Sequence, residues 1–412
     1  MNLITNIAPF LIGSSFSLLL FNPIAFGVAL IIGILVLLIS YRKDLIIGIK
    51  PDKGILFSII FLICSFLISS FLSIVQERSF PVIFYLFCFI ILSFLLFNCL
   101  KQNRNIYNKL IKFFIISSYL NIVFISIYVS TDISCKLCVD NDNFNVLYVL
   151  KHMSVSERYK GFLNIFALNT IILSFFYKSK FNLIILLILV PCLVISNCNS
   201  AILGILIGIF SVILFFIFNI FFKKKFFLLF YFFICITVFS QLVKNLPTNF
   251  SQHNNENFEP IIPVQVVDIH RQFMWGFTIS KFLEKPIFGF GPDTSNFIPE
   301  GQKEIGAKHT GKMYFISSHP HNFLAELLLE VGVFGTLFFI IFILSLNIMI
   351  AKECSRKQLY YLLFYNSYFW GASLVNFSFW QGWWQASYYI ILSLMSVKIF
   401  LEKNKSTKKL RL

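Results

Sequence analysis

Residues 322–351 read NFLAELLLEVGVFGTLFFIIFILSLNIMIA, an apolar run of thirty residues that indicates the fold class. Only Glu326 and Glu330 are charged. A helix of this length is long enough to cross a hydrocarbon core of about 30 Å. Because backbone polar groups must be satisfied internally within lipid, the stretch is predicted to be a transmembrane helix.

The rest of the chain has the same apolar character. Of its 412 residues, 58% are hydrophobic and 13% are charged, whereas soluble domains carry about 25% charged residues. This composition excludes a soluble enzyme and a disordered protein. We predict an all-α polytopic membrane protein with about twelve spans, with eleven as the alternative count. The predicted spans are 8–21, 23–41, 54–74, 80–99, 109–129, 161–177, 181–196, 200–222, 225–243, 322–351, 357–378 and 383–401.

The chain is basic, with 34 Lys and Arg against 18 Asp and Glu and a formal net charge of +16. In a soluble protein this balance would suggest nucleic acid. Here the cations lie in short loops between apolar segments, so no nucleic-acid partner is expected. Placing both termini in the cytoplasm gives every cytoplasmic loop an excess of Lys and Arg, which is the positive-inside pattern. The N-terminal residues lack the charged region of a signal peptide, so the first apolar stretch is expected to be a retained span.

Two of the loops on the predicted outer face are long, at about 130–160 and 244–321. Loops longer than about 15 residues are usually functional or disordered. The second contains aromatic residues, Pro and a helical pattern, so we expect it to be structured and to carry any chemistry. The predicted parts are a nine-helix membrane part (1–243), a large outer loop with an amphipathic helix (244–321), and three further spans with a basic tail (322–412).

Residues 268–286 predict a short amphipathic helix at the outer interface, with Asp268 as N-cap and Pro286 ending the element. Arg271 lies in its first turn. A guanidinium group there could hold a phosphate or pyrophosphate, or it could snorkel to lipid head groups. Just beyond, Gly289 and Gly291 lie in a turn-rich segment. This pattern favours a tight turn over a phosphate-binding loop, because it is not a Walker motif.

A second polar group, His319-Pro320-His321-Asn322, precedes the tenth span. Pro320 suits the first helical position, which would place both histidines at a helix N-terminus. The helix dipole there keeps imidazole neutral, the form that a general base needs. Hydrogen bonding at the helix cap is the structural alternative. Metal ligation is not expected, since no partners with ligand spacing lie close by.

Two glutamates follow in the tenth span, where ionisable residues are functional candidates. Glu326, about one turn below His321, is expected to orient that ring or to hold a proton. Glu330 is interpreted as a buried, hydrogen-bonded carboxylate. The small residues Gly332 and Gly335 after it are expected to allow close helix packing.

The first long loop contributes two weaker signals. Arg158, just before the sixth span, could converge with Arg271 on one anion, although a lone interfacial Arg is more often structural. Cys135 and Cys138 favour a local disulfide on an oxidising outer face.

Taken together, these residues resemble the O-antigen ligase/polymerase family of bacterial inner-membrane proteins. The ordered elements that carry the resemblance are Arg158-Tyr-Lys-Gly161, Arg271 with Trp275, Pro286 to Gly291, His319 to Asn322, and Glu330 to Gly335. Two departures stand out. Asn199-Ser200-Ala201 replaces a Ser-Arg-Gly-like element, and Asn164-Ile-Phe replaces an Asn-Pro-Asn-like tail.

The resemblance implies an inverting glycosyltransferase at the periplasmic face of the inner membrane. The glycan would pass from undecaprenyl diphosphate to a hydroxyl of lipid A–core, with no metal or cofactor. His321 would be the base, assisted by His319 or Glu326, and Arg271 and Arg158 would bind the donor diphosphate. The alternatives within the family are an O-antigen polymerase and a protein O-oligosaccharyltransferase. A lipid or solute transporter is a different class, but spans three to nine hold almost no ionisable residues.

Overall fold

The fold is given by a computed structural model in which most of the chain is helical. It describes residues 4–19, 22–41, 53–137, 156–196, 198–218, 233, 236–237, 240–241, 244–260, 262–264, 267–308 and 310–409. The side chains of residues 4–5, 127–137, 156–160, 162, 252–253 and 405–409 lie outside this description. Within it, β structure is limited to an isolated bridge between Glu304 and Tyr314. The predicted all-α class is confirmed.

The α-helices of the described residues follow the apolar runs of the sequence. They are α1 (Ile4–Leu18), α2 (Pro23–Ser40), α3 (Lys53–Phe71), α4 (Gln76–Gln102), α5 (Arg104–Leu137), α6 (Ser156–Phe176), α7 (Phe181–Ile195), α8 (Asn199–Phe218), α9 (Gln252–Glu256), α10 (Ile269–Phe282), α11 (Phe323–Glu353), α12 (Arg356–Ser373) and α13 (Gly382–Lys409). Two 3₁₀ turns, Ser295–Phe297 and Pro299–Gln302, lie between α10 and α11.

Seven helices of the described residues are long and apolar enough to cross a membrane: α2, α3, α4, α5, α8, α11 and α13. Three shorter apolar helices, α1, α6 and α7, match further predicted spans. Predicted span 357–378 corresponds to α12, which is not among the seven. Most of predicted span 225–243 lies outside the described residues. The multi-pass architecture is therefore confirmed, and the count of twelve stays a prediction.

One apolar core joins the helices before and after the large loop, from Ala8 to Ile399. Helix α8 packs along α12, α11 along α3, and α13 along α4. Small residues allow the closest approach, since a Cβ on Gly204 of α8 would lie 2.9 Å from the carbonyl oxygen of Tyr368 in α12. This packing brings the ends of α6, α8, α11 and α12 together beneath the large loop.

The described part of the large loop has its own apolar core, built around α10 and including Phe273, Trp275 and Phe277. The expectation that this loop is structured is confirmed. However, Gln272 to Thr278 are all buried. The predicted helix is present as α10 and is buried over this stretch, and its position relative to a membrane interface stays a prediction.

Of the two predicted helix starts, that of α10 is confirmed and that of α11 is not. Asp268 caps α10, since its Oδ1 accepts a hydrogen bond from the Arg271 N–H at 2.9 Å. Pro320 is not the first residue of α11. Asn322 is the N-cap, and its side chain accepts from the N–H groups of Leu324 and Ala325 at 3.1 and 3.2 Å. An Asn side chain satisfies orphan N–H groups that Pro cannot, so the helix starts after it.

The predicted disulfide cannot be located in the fold. Cys138 and the side chain of Cys135 lie outside the described residues, so the Cys135–Cys138 bond stays a prediction.

Candidate active site

A cavity of about 520 Å³ opens between the N-terminus of α10 and the residues just before α11. Its lining residues are Val264, Asp268, Ile269, His270, Arg271, Met313 and His321. Two of the predicted site residues, Arg271 and His321, thus face one space although 50 positions separate them in the chain. Cavities that bind small molecules commonly measure about 300–1,000 Å³.

Arg271 is held at the rim of this cavity by Asp268. Its Nη1 lies 3.2 Å from Asp268 Oδ2, and the Arg side chain is 31% exposed. The same carboxylate caps α10, so one acidic residue fixes both the helix start and the guanidinium. A guanidinium has five N–H donors, which leaves donors for an anionic ligand beyond the contact with Asp268.

The two histidines converge on a single backbone carbonyl, that of Asn376. His321 Nδ1 lies 2.6 Å from this oxygen and His319 Nε2 lies 3.0 Å from it. The ring centroids are 4.0 Å apart. Because a carbonyl oxygen only accepts, both of these nitrogens carry hydrogen. In neutral His321 the basic lone pair is therefore on Nε2.

His319 is held in its neutral form. Burial lowers the pKa of His319 to about 3, and the neighbouring charges of His321 and Arg271 act in the same direction. Its Nδ1 lies 3.1 Å from the Ser318 hydroxyl, which donates to it. The expectation that an imidazole here is neutral holds for His319, although the main cause is burial and not the dipole of α11.

Asn376 is in turn fixed by polar side chains from other helices. Its Nδ2 donates to the Ser200 hydroxyl at 2.9 Å, and Asn164 Nδ2 donates to the same oxygen at 3.1 Å. The Tyr368 hydroxyl donates to the backbone carbonyl of Asn164 at 2.9 Å. The position of the two imidazoles therefore depends on α6, α8 and α12 together.

Glu326 lies behind this site and not among the residues that line the cavity. Its buried carboxylate accepts from the Ser378 hydroxyl at 2.6 Å and from the Phe379 N–H at 2.7 Å. It thereby anchors the loop that presents the Asn376 carbonyl. The structure places Glu326 where it supports the histidines through this loop.

His321 itself has an unusual backbone, with φ at +52°. Few non-glycine residues adopt this region, and such conformations cluster at functional sites. Trp275 of α10 braces the turn, because its Nε1 donates to the carbonyl of Pro320 at 2.8 Å. The Arg271 and Trp275 elements of the sequence pattern thus lie on the same helix, one facing the cavity and one holding the histidine segment.

The α11 helix is broken at Gly332, where φ is 66° and ψ is −169°. The segment Pro286–Gly291 pairs with the opened turn, and we call this pairing the Gly332 junction. Phe290 and Gly291 donate to the carbonyls of Leu329 and Glu330, at 3.0 and 2.8 Å. In the other direction, Val333 donates to the carbonyl of Pro286 at 2.8 Å. The broken helix therefore keeps its backbone groups hydrogen-bonded, as a low-dielectric setting requires.

The junction requires glycine at three places. Gly289 and Gly291 have φ of 71° and 111°, which confirms the turn interpretation. The N–H groups of Gly289, Phe290 and Gly291 donate to backbone carbonyls of the protein. A Cβ on Gly289 would lie 2.4 Å from the Glu330 backbone, and one on Gly332 would lie 2.2 Å from the Ile287 carbonyl oxygen. Gly332 allows the expected close approach, here to the Pro286–Gly291 segment, and in addition it breaks the helix.

Glu330 closes the junction from the other side. It accepts from the backbone N–H groups of Asp293, Thr294 and Ser295, at 2.7, 3.1 and 2.9 Å, and from the Ser295 hydroxyl and Trp380 Nε1. The predicted buried, hydrogen-bonded carboxylate is confirmed. Its role in the fold is to fix the turn that follows the Pro286–Gly291 segment.

Arg158 lies in the first turn of α6, but its side chain is outside the described residues. Its convergence with Arg271 therefore stays a prediction. Among the described residues, no group of three or more His, Cys, Asp and Glu side chains is placed to hold a metal ion.

The loop after α12 holds site residues that the sequence patterns did not identify. Asn376, Ser378 and Trp380 hold the histidines, Glu326 and Glu330 respectively. The available signal was the polar run Asn376 to Gln381 between two apolar spans. Polar residues at that position have to be satisfied by partners, and the ionisable residues of α11 are the nearest in the fold.

The fold and the cavity define an all-α, multi-pass membrane protein whose large loop brings an Arg and a His to one cavity. A comparison with family models matches residues 184–340 to the O-antigen ligase family. This stretch includes Arg271, both histidines and the Gly332 junction. Over these residues the chain is similar to the O-antigen ligase family.

Curated relatives agree over a limited stretch. A protein of Rickettsia conorii named "Putative polysaccharide ligase" is 30% identical over 143 residues, which is 34% of this chain and 34% of that protein. A Rickettsia felis protein with the same name is 29% identical over 143 residues, or 34% and 35% of the two chains. The alignments thus cover about a third of the length of these relatives.

Proposed function

We propose that this protein is an O-antigen ligase-type glycosyltransferase. It moves a glycan from undecaprenyl diphosphate to a hydroxyl of lipid A–core at the periplasmic face of the inner membrane. The observation that carries the proposal is the shared cavity of Arg271 and His321. It lies within the stretch that matches the O-antigen ligase family.

The proposed reaction is a single displacement at the anomeric carbon. The acceptor oxygen forms a bond to this carbon while the bond to the diphosphate oxygen breaks, which inverts the configuration. The acceptor proton passes to His321 Nε2, and the bonding electrons leave with the diphosphate. Arg271, with Arg158, stabilises the negative charge that grows on the leaving group, which is the kind of electrostatic assistance that catalysis requires.

The hydrogen bond of His321 Nδ1 to the Asn376 carbonyl supports its role as base. This bond fixes the tautomer with the lone pair on Nε2 and stabilises the imidazolium after proton transfer. Neutral His319 assists, because a second imidazolium with its ring centroid 4.0 Å away would oppose protonation of His321. Glu326 assists as a positioning residue through the Ser378–Phe379 backbone.

Arginine side chains can neutralise a diphosphate without a metal, so the proposed mechanism is metal-independent and uses no cofactor. The guanidinium of Arg271 offers charge-assisted hydrogen bonds in a fork that matches phosphate oxygens.

The test is a glycolipid profile of a deletion strain complemented with wild type, Arg271→Ala, His321→Ala or the control Lys308→Ala. Lys308 is an exposed cation of the same loop and does not line the cavity. We expect core-linked O-antigen to vanish and undecaprenyl-linked chains to accumulate with both site variants, while the control behaves as wild type.

Other profiles identify the alternatives. Core capped with a single repeat unit would make the protein a polymerase and overturn the acceptor. An unchanged profile in the deletion strain would overturn both and favour protein glycosylation or transport.

A further inference from the structure

A second cavity, of about 530 Å³, lies at the end of the helix bundle opposite the Arg271–His321 cavity. Helix α13 starts at Gly382, just after the loop that holds the histidines, and it reaches this second cavity at Lys398. At 1.5 Å per residue the two ends are about 24 Å apart along the helix. Its lining includes Arg104, Asn108 and Lys112 of α5, Tyr177 after α6, and Lys398 and Glu402 of α13.

The charges that line this cavity are unbalanced. Three cations face one carboxylate, that of Glu402. This carboxylate is already engaged, since Oε1 lies 3.6 Å from Lys398 Nζ and Oε2 accepts from Gln358 Nε2 at 2.7 Å. Lys398 also donates to the carbonyl of Phe176 at 3.1 Å, at the C-terminus of α6. Lys398 and Glu402 are therefore satisfied by the protein, and among the described residues no carboxylate pairs with Arg104 or Lys112.

Arg104, Asn108 and Lys112 stand one turn apart along α5, at spacings of four residues, and so share one helix face. Arg104 and Lys112 are exposed. Within the described part of the chain neither forms an ion pair. Arg104 is also the first residue of α5, where the positive end of the helix dipole disfavours a cation and favours a bound anion.

The same face of α5 becomes apolar immediately beyond Lys112. Ile115, Ile116 and Tyr119 complete the lining of the cavity on this side. Ile116 is 43% exposed and Leu120, one turn further, is 54% exposed. A ligand in this cavity therefore meets cations at one end and an exposed apolar surface at the other, within about two helical turns.

We propose that this cavity binds an anionic phospholipid. The phosphate lies between Arg104 and Lys112, and an acyl chain runs along Ile115 and Ile116. Basic pockets between membrane helices on the cytoplasmic side are suited to anionic head groups, and the charge distribution predicts that α5 begins on that side. The site uses none of the residues assigned to glycan transfer, so it stands apart from the proposed reaction.

The experiment uses the full-length protein, purified in detergent and depleted of lipid. Phosphatidylglycerol binding is measured by titration and by the shift in melting temperature, for wild type and for Arg104→Gln/Lys112→Gln. Each lost cation is expected to weaken binding about fivefold, so the double variant binds about 25-fold more weakly. The control is Lys352→Gln/Lys357→Gln, which removes two exposed cations at the same end of the bundle, outside the cavity.

The proposal predicts that the control binds phosphatidylglycerol as wild type does. It also predicts that wild type binds phosphatidylcholine with less than a tenth of its affinity for phosphatidylglycerol. Equal phosphatidylglycerol binding by the double variant would overturn the site. An equal stabilisation of wild type by glycerol phosphate, which lacks the acyl chains, would overturn the assignment to a lipid. Loss of binding in both double variants would show a diffuse surface charge effect, and would overturn it as well.

Discussion

The Arg271–His321 cavity and the Gly332 junction lie side by side, and both contain residues of the same sequence pattern. In the cavity, Arg271 is 31% exposed and His321 is half-buried. In the junction, Glu330 and Gly332 are buried, and Glu330 accepts five hydrogen bonds from the protein. The first region offers polar groups to a ligand, while the second uses its polar groups to hold the chain together.

The sequence pattern shared with the ligase family therefore contains two kinds of residue, those that line the cavity and those that stabilise the fold. His321 and Glu330 are both ionisable and lie nine positions apart, yet only the histidine lines the cavity. Substitutions in the cavity should therefore remove activity and leave stability unchanged, whereas substitutions in the junction should remove stability first.

The largest effect is expected from His321→Asn. Asn tolerates the positive φ of this position, so the change removes the base without adding backbone strain. General acid–base groups contribute about 10²–10⁴-fold in rate, and we expect a transfer rate lower by that factor with the melting temperature within a degree or two of wild type. A rate within threefold of wild type, measured with purified protein and lipid-linked donor, would show that His321 is not the base.

Gly332→Ala is expected to destabilise the protein by about 4 kcal/mol, because it combines backbone strain with overpacking against the Ile287 carbonyl. The matched control is Gly306→Ala. Gly306 also has a positive φ, of 73°, but a Cβ there would meet nothing within 4 Å. Thermal unfolding in detergent should show a loss several times larger for Gly332→Ala than for Gly306→Ala. Equal losses would mean that the close approach to Ile287 is unimportant.

Glu330→Gln tests the structural role of this carboxylate. It replaces one acceptor oxygen by an NH₂ group, which cannot accept a hydrogen bond from the donors around Glu330. An unsatisfied buried polar group costs about 1–3 kcal/mol. Glu326→Gln is the companion variant, since two donors, the Ser378 hydroxyl and the Phe379 N–H, contact Glu326 in the described hydrogen bonds. We expect the Glu330 variant to lose more stability in thermal melts. A larger loss for Glu326→Gln would reverse the ranking of the two carboxylates.

The smallest effect concerns pH. The pKa of His319 is about 3 in the folded protein and about 6.5 in an unfolded chain. Between these values the unfolded chain binds more protons at His319, so the contribution of this residue lowers the free energy of unfolding as pH drops below about 6.5 and does not change with pH above it. Melting temperatures at pH 7.5, 6 and 5 should fall less steeply for His319→Gln than for wild type. Parallel curves would show that His319 does not titrate on unfolding.

Local features of this molecule could be predicted from sequence, and long-range ones could not. The apolar runs predicted the helices. Asp268 predicted the cap of α10, and the paired glycines predicted the turn before Pro292. The break at Gly332 depends on hydrogen bonds from Pro286–Gly291, more than forty residues earlier, and such pairing leaves no periodic pattern. The contact of both histidines with Asn376 likewise depends on a backbone carbonyl, which every residue type carries.

The break at Gly332 also defines the length of the unbroken part of α11 that can cross the hydrocarbon core of a membrane. The part of α11 from Val333 to Glu353 is about 31 Å long at 1.5 Å per residue, close to the hydrocarbon thickness of about 30 Å. Surface exposure of α11 begins there, with Val333, Phe334 and Leu337 each 45–47% exposed. In the proposed function, a bilayer around this part of α11 would place the residues before the break above the acyl chains, where the phosphates of a lipid-linked donor would meet His321 and Arg271.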